Sequence, residues 1–127
     1  MDLIPDNLKY TQTHEWVRLE SDGSVTVGIT DHAQQLLGDM VFVELPTVDR
    51  EIQQGAEIGV VESVKAASDI YSPVSGKIIA VNQELNTMPE LINQDPYDKG
   101  WIFRLLPNDS SEINPLLNSA DYQKQIT

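Results

Sequence analysis

Alternating hydrophobic and polar positions run through the first half of the chain and predict short β-strands. A first strand is expected over residues 14–19 and a second over residues 24–29. In the second strand Val25, Val27 and Ile29 share one face. The intervening Ser-Asp-Gly sequence is typical of a turn, because glycine accepts positive φ and aspartate bonds its own backbone. The two strands therefore form a predicted hairpin.

A short helix and further strands follow this hairpin. Thr30 or Asp31 can cap a helix of about two turns, which ends near Gly38. Pro89 stands where the first turn of another helix begins, and this second helix is predicted over residues 88–93. Strands are predicted over residues 40–45, 77–81 and 101–105, with a loop or sheet edge over residues 51–56.

The C-terminal segment changes from strand-like to helical periodicity. Four apolar residues recur at the spacing of one helical face, namely Ile113, Leu116, Leu117 and Ala120. Asn114 before a proline is typical of a helix start. The segment therefore predicts one or two short helices packed on the β core, and the many short strands indicate a small sandwich or barrel.

Residues 58–71 form the most informative stretch. Alternating positions run from Ile58 to Val64 and resume from Ala67 to Tyr71, with Lys65 and its neighbour between the two runs. This pattern predicts a β-hairpin with Lys65 at the tip. Such a lysine is ordinarily a solvated turn residue that protects a sheet edge. The alternative is a lysine displayed for covalent modification, and the pattern alone favours the ordinary interpretation.

Composition limits the function further. A chain of 127 residues suits a single domain over 1–127, with a β core over about 24–106 and a helical tail over about 110–126. The formal charge of -12 disfavours nucleic acid and anionic membranes as partners. The chain has no cysteine and no membrane-length apolar run, and residues 1–10 are expected to be neither a secretory signal nor a transit peptide. A cytoplasmic location is expected, or a mature mitochondrial one.

Motifs for catalysis are not found. His14 and His32 are far apart in the sequence, and neither has a second metal ligand at helical spacing, so no metal site is predicted. There is no phosphate-binding glycine loop and no nucleophile elbow. We therefore predict no catalytic residue. A carboxylate pair among the 20 acidic residues leaves open a small acidic protein with hydrolytic activity.

Sequence motifs around Lys65 and along the chain carry a family resemblance. VESVKAASD (61–69) and YSPVSG (71–76) resemble the lipoylation segment of glycine cleavage system H proteins. Further motifs similar to that family are KY (9–10), HEWV (14–17), VGIT (27–30), AQ (33–34), LGD (37–39), VFVELP (41–46), PELIN (89–93), DPY (95–97) and GW (100–101).

The resemblance implies a fold, a cofactor and partners. The fold would be a lipoyl-domain-like barrel-sandwich hybrid with short peripheral and C-terminal helices. Lipoate would be amide-linked to Lys65, and the chain would be a non-catalytic carrier that shuttles an aminomethyl group during glycine degradation. The implied partners are the pyridoxal-phosphate glycine decarboxylase, the tetrahydrofolate-dependent aminomethyltransferase, the flavin-containing dihydrolipoyl dehydrogenase, and a lipoate ligase or lipoyl transferase.

The resemblance also implies site residues. Glu15 is expected to accept the loaded amine, with Thr13 and Asp69 nearby. Recognition of the lipoylation segment is expected at Glu62, Ser63, Val64 and Ala66. An H-like relay protein that donates lipoyl groups to other enzymes shares these motifs, and sequence matches alone leave that alternative open.

Overall fold

The computed structural model describes residues 3–127 and confirms that the fold is mainly β. The strands are β1 Lys9–Tyr10, β2 Glu15–Leu19, β3 Val25–Ile29, β4 Met40–Glu44, β5 Glu51–Ile52, β6 Glu57–Ser63, β7 Ala67–Tyr71, β8 Gly76–Val81 and β9 Phe103–Pro107. The helices are α1 Asp31–Leu37, α2 Leu91–Gln94 and α3 Ser119–Ile126, and 3₁₀ turns span Gln83–Asn86 and Ser110–Ile113. None of the helices within residues 3–127 is long and apolar enough to cross a bilayer.

Two antiparallel sheets enclose one main core. The larger sheet has the strand order β1-β2-β3-β9-β8-β5, and the smaller has the order β4-β6-β7. Val27 and Leu105 enter the core from the larger sheet, and Val61 and Ile70 enter it from the smaller. Burial of each such side chain contributes about 1.5–3 kcal/mol. The predicted two-sheet arrangement with short helices is confirmed.

Strand β3 is buried on both of its faces. Its three aliphatic side chains face the core as predicted, but Thr26 and Gly28 on the opposite face are also covered. The indole of Trp16 lies against Gly28 across the β2–β3 pair and donates its Nε1–H to the carbonyl of Pro96 at 2.9 Å. This contact anchors β2 and so fixes the position of Glu15 at its start.

Helix α1 begins and ends as its sequence predicts. The hydroxyl of Thr30 accepts the N–H of Ala33 at 3.2 Å, so Thr30 is the cap and Asp31 is the first helical residue. Gly38 ends the helix at φ 86° and donates its N–H to the carbonyl of Gln34 at 2.9 Å. The loop at residues 38–39 therefore has a fixed conformation beside β6.

Two predicted boundaries are wrong by a few residues. The closing strand predicted over 101–105 is β9, Phe103–Pro107, because its pairing with β8 sets its limits. The helix predicted over 88–93 is only Leu91–Gln94. Pro89 lies in a tight turn before it, where the N–H of Ile92 donates to the Pro89 carbonyl.

The predicted helical face over residues 113–120 is wrong. Leu117 is extended there, and its N–H and carbonyl both bond Tyr10 of the edge strand β1 at 2.8 Å. The helix starts only after Asn118, whose side chain accepts the N–H of Asp121 at 2.8 Å. Ala120 is exposed, and the buried residue of α3 is Tyr122. The backbone pairing of Leu117 with β1 therefore determines the structure of this segment, although the spacing of its apolar residues predicts a helix.

Candidate functional site

Lys65 lies at the tip of the β6–β7 hairpin, where the alternating pattern predicts it. The last paired residues are Glu62 and Ala67, and the N–H of Ser63 donates to the Ala66 carbonyl at 2.8 Å. The Ser63 hydroxyl accepts the N–H of Lys65 at 3.3 Å and the N–H of Ala66 at 3.1 Å. One hydroxyl therefore holds the backbone of the tip in place.

The tip is also attached to the loop that ends α1. The N–H of Val64 donates to the Asp39 carbonyl at 3.0 Å. The Lys65 stem leans over Gly38, where an added Cβ would lie 3.8 Å from the Lys65 Cε. Lys65 is exposed, and within residues 3–127 its ammonium makes no ion pair. The backbone at the attachment point is thus fixed, while the ammonium is free to be modified.

The structure separates the four residues predicted for recognition of the segment. Glu62, Val64 and Ala66 are exposed, and the Val64 side chain is 71% exposed. Ser63 is only 8% exposed and faces the tip backbone instead. The first three are accessible to another protein, whereas Ser63 contacts only the backbone of the tip.

Two further apolar side chains are exposed next to the tip. The β4–β6 register shifts between Met40 and Phe42, so consecutive residues Val41 and Phe42 are both exposed, by 54% and 52%. Phe42 pairs with Glu62 on β6. Because this bulge breaks the strict alternation, a period-two pattern in the sequence does not predict that both residues are exposed. Together with Val64, these residues present apolar surface beside Lys65.

A pocket of about 140 Å³, which we call the proximal pocket, lies beside the lysine hairpin. Leu36 and Leu37 at the end of α1 form part of its wall, directly before the glycine beneath the Lys65 stem. Thr13, Glu15 and Asp69 also line this pocket, so the structure brings together the three residues predicted for the cavity.

Glu15 is the buried carboxylate of this pocket, with 1% of its surface exposed. Its Oε1 accepts the hydroxyls of Thr11, at 2.6 Å, and Thr13. Its Oε2 accepts the N–H of Tyr71 at 3.2 Å, which links β2 to β7. Burial raises the pKa of Glu15, and these hydrogen bonds partly oppose the rise. Thr11 carries no sequence signal that would single it out for this contact.

Asp69 lies at the rim of the pocket rather than inside it. It is exposed on β7, and the proximity of its carboxyl group raises the pKa of Glu57. Asp69 also raises the pKa of the neighbouring Tyr71 hydroxyl. The predicted trio is therefore unequal, because Glu15 and Thr13 are in direct contact and Asp69 stands apart.

The two histidines that are distant in sequence are close in space. The ring centroids of His14 and His32 lie 5.3 Å apart beside the proximal pocket. The Nδ1 of His14 shares a hydrogen bond of 2.7 Å with the Tyr122 hydroxyl, and burial and His32 lower the His14 pKa. Their distance in the sequence therefore does not keep the two rings apart in the fold, and no group of three metal-ligating side chains occurs among the described residues.

A second, larger pocket of about 560 Å³, the distal pocket, shares Thr13 and Glu15 with the first. Its walls come from the segment before β2, the turn at residues 54–55, the end of β7 and residues 115–117. These segments are distant in sequence and meet only in the fold. No local pattern could therefore reveal this pocket.

Comparisons with known proteins agree with this architecture. The family model for the glycine cleavage H-protein matches residues 8–127. A glycine cleavage system H protein of Shewanella denitrificans is 59% identical over 126 residues, covering 99% of this chain and 98% of the relative. One of Alkalilimnicola ehrlichii is also 59% identical, covering 99% of this chain and 97% of the relative.

A solved structure extends the likeness to the fold. The crystal structure of a glycine cleavage system H protein from Mycobacterium marinum superposes with a TM-score of 0.89 at 39% identity, covering 97% of this chain and 98% of that chain. The predicted lipoyl-domain-like barrel-sandwich fold is confirmed by this match. The chain therefore belongs to the glycine cleavage H-protein family.

Proposed function

We propose that Lys65 is the residue through which this chain carries its lipoyl group. The chain is a non-catalytic lipoyl carrier of the glycine cleavage system and works with the other components of that system. The observation that supports Lys65 is its place at the tip of a rigid hairpin beside a pocket with a buried carboxylate.

The surroundings of Lys65 fit an amide-linked lipoyl group. Its ammonium is exposed, Ala66 and Ala67 beside it are small, and Gly38 leaves space for the stem. The Ser63 hydroxyl holds the tip, so the modifying enzyme meets a preformed shape. A lysine held by a salt bridge would have to lose that contact before it could be modified, whereas Lys65 has none within residues 3–127.

The partners follow from the chemistry of the carrier. The lipoyl group, when bound, would supply a cyclic disulfide that opens so that one of its two sulfurs carries the aminomethyl unit between enzymes. We assign loading to a pyridoxal-phosphate glycine decarboxylase, unloading to a tetrahydrofolate-dependent aminomethyltransferase and reoxidation to the flavin-containing dihydrolipoyl dehydrogenase. A lipoate ligase or lipoyl transferase attaches the group. The exposed surface of Phe42 and Val64 beside Lys65 is where we expect these enzymes to make contact.

The chain's own residues hold and shield the cargo in the proximal pocket. Glu15 offers a carboxylate acceptor, and Thr13 fixes one of its oxygens. Asp69 adds negative charge at the rim. The apolar wall that includes Leu36 and Leu37 restricts water at the same place, which strengthens the attraction between the carboxylate and an amine.

Intact-mass measurement tests the assignment of Lys65. Incubation with a lipoate ligase, lipoate and ATP should add one lipoyl group to the wild type. Lys65→Arg should take none, while Lys77→Arg, which changes another exposed lysine, should be modified at the wild-type rate. An adduct on Lys65→Arg, or none on the folded wild type, would contradict the assignment. Glycine–bicarbonate exchange with the decarboxylase then separates the carrier from a lipoyl relay protein.

A further inference from the structure

A third pocket, which we call the outer pocket, lies on the outer face of the larger sheet, whereas Lys65 belongs to a hairpin of the smaller sheet. Its volume is about 290 Å³, close to the lower limit of roughly 300 Å³ for small-molecule sites. It is lined by Arg18, Glu20, Thr26, Asp98, Trp101 and Arg104. None of these residues lines the proximal or the distal pocket.

Strand register places two arginines on either side of this pocket. Thr26 on β3 pairs with Arg18 on β2 and with Arg104 on β9. Adjacent strands lie about 5 Å apart, so the Cα atoms of the two arginines are separated by about 10 Å. Val17 and Leu105, the sequence neighbours of the arginines, enter the core, so this row faces outward. Two guanidinium groups can therefore reach one small ligand above Thr26.

Arg18 is held in place but keeps free donors. Its Nε donates to Glu20 Oε2 at 3.0 Å, and its Nη1 donates to the carbonyl of Tyr97 at 3.1 Å. The guanidinium also lies over the Trp16 ring, 5.4 Å from its centroid. Its Nη2 has no hydrogen-bond partner within residues 3–127. This edge of a fixed guanidinium can therefore bind an oxygen of a ligand without prior rearrangement.

Arg104 has fewer of its donors satisfied than Arg18 does. Its Nη2 donates to the Ser24 hydroxyl at 2.9 Å and lies 3.4 Å from Asp22 Oδ2. Its Nη1 has no hydrogen-bond partner within residues 3–127. Its Nε is the one buried side-chain nitrogen or oxygen of that range without a partner, and such groups are rare in native proteins. The guanidinium therefore lacks acceptor oxygens, which a carboxylate supplies in matching planar geometry.

The charged groups of the outer pocket balance one another. A hydrogen bond from Thr26 lowers the pKa of Glu20, and the charges of Arg18 and Arg104 lower it further. Glu20 is therefore ionised at neutral pH, and Asp98 adds a second, exposed carboxylate. A simple anion would be repelled by these two carboxylates, and a simple cation would be repelled by the two guanidiniums. A ligand that carries both charges is attracted by both pairs.

We propose that the outer pocket binds a small free amino acid as a zwitterion, with its carboxylate on Arg18 and Arg104. The ammonium lies against Glu20 and Asp98, and an apolar side chain lies on the indole of Trp101. This indole is only partly buried, so it offers apolar surface at the wall of the pocket. The site requires no modification of Lys65 and is separate from the carrier function.

Titration of the unmodified full-length chain by ¹H–¹⁵N NMR tests the proposal. The probe is L-phenylalanine, compared with 3-phenylpropionate, which lacks the ammonium, and with 2-phenylethylammonium, which lacks the carboxylate. We expect saturable binding of L-phenylalanine with a Kd on the order of 1 mM, given its few heavy atoms. The Nε–H signal of Arg104 and the amides of residues 18, 26 and 98–101 should shift. Each singly charged probe should bind at least about fivefold more weakly.

Variants show whether the charges of the pocket are responsible. Arg104→Gln should weaken binding of L-phenylalanine at least about fivefold. Lys77→Gln removes the same charge from an exposed residue of the same sheet outside the pocket, and should bind like the wild type. Asp98→Asn should weaken L-phenylalanine about threefold and tighten 3-phenylpropionate, because only the former has an ammonium. The Asp98 side chain is exposed, so this variant tests the site even if Arg104→Gln is unstable.

Three outcomes would overturn the proposal. One is equal affinity for L-phenylalanine and either singly charged probe, which indicates binding through the ring alone. Another is unchanged binding of L-phenylalanine in Arg104→Gln that thermal denaturation shows to be folded. The third is a set of shifts that leaves the residues of the outer pocket unaffected. Because the assay uses unmodified protein, its result is independent of whether Lys65 accepts a lipoyl group.

Discussion

The contact between Gly28 and Trp16 gives a sharp test of how β2 is held. A Cβ on Gly28 would lie 2.6 Å from the indole Nε1 and 2.7 Å from Cε2 and Cζ2, whereas ordinary contacts are 3.4–4 Å. In Gly28→Ala the ring or the strand must therefore move by about 1 Å, and overpacking of this kind costs about 1–3 kcal/mol. The bond from Nε1 to Pro96, now 2.9 Å, would be strained as well.

The net cost can be worked out from these contributions. Loss of the indole hydrogen bond adds about 1 kcal/mol, and the lower entropy of the unfolded alanine chain offsets about 0.4–1 kcal/mol. We expect a loss of about 2 kcal/mol in the free energy of unfolding. For a chain of this size that corresponds to a fall in Tm of about 6–12 °C. Lys65 lies at the tip of a hairpin of the other sheet, so its lipoylation rate should remain unchanged.

Urea and thermal denaturation of a double-mutant cycle measure this cost. Phenylalanine at position 16 is smaller and has no Nε1–H, so Gly28→Ala should cost at least about 1 kcal/mol less in the Trp16→Phe background. Equal costs in the two backgrounds would refute the steric argument. So would a Gly28→Ala variant that is destabilised by less than about 0.5 kcal/mol.

Three further predictions concern the lysine tip and the shared carboxylate. Ser63→Ala leaves the tip amides without their acceptor, so it should lower the free energy of unfolding by about 1–2 kcal/mol and slow lipoylation several-fold. Urea titration measures the stability and mass time courses measure the rate. An unchanged rate would count against a role for the tip conformation. Phe42→Ser should raise the KM for lipoylation about fivefold, whereas Leu106→Ser, in the other sheet, should not; equal effects would exclude a specific contact. Burial raises the Glu15 pKa, so the contribution of this group to the free energy of unfolding is fully present below its pKa in the unfolded chain. That contribution is lost as pH rises from 4.5 through the pKa in the folded chain. Glu15→Gln should flatten that decline in urea unfolding at stepped pH, and parallel curves for the two proteins would be the contrary result.

Local sequence patterns predict the structure correctly where contacts between neighbouring residues determine it. Period-two alternation predicts β2, β3 and both arms of the lysine hairpin, because each strand has a core face. Thr30 and Gly38 delimit α1 through capping that involves residues within one turn. The tip position of Lys65 follows from two alternating runs alone. Its chemistry does not, and only the resemblance of the surrounding motifs points to lipoate.

Features that depend on distant residues could not be predicted. The Glu15 carboxylate bonds Tyr71, which is 56 positions away, and the resulting link between the two sheets leaves no periodic signal. Leu117 is extended because Tyr10 supplies backbone partners, which local helical spacing cannot reveal. The distal pocket likewise arises from four separated segments. In each case the tertiary environment decides the outcome.

The fixed tip of the lysine hairpin affects how a group tethered to Lys65 is divided between the proximal pocket and a client enzyme. Because Ser63 and Asp39 hold the backbone there, a group tethered to Lys65 moves only through its own flexible chain. Such a short tether keeps the group near the proximal pocket at an effective concentration on the order of millimolar. A client enzyme at about 1 μM must therefore bind the tethered group roughly a thousandfold more tightly than the pocket does, or about 4 kcal/mol better. A pocket of low intrinsic affinity is thus enough to retain the cargo between clients, and weak affinity is what allows the cargo to leave.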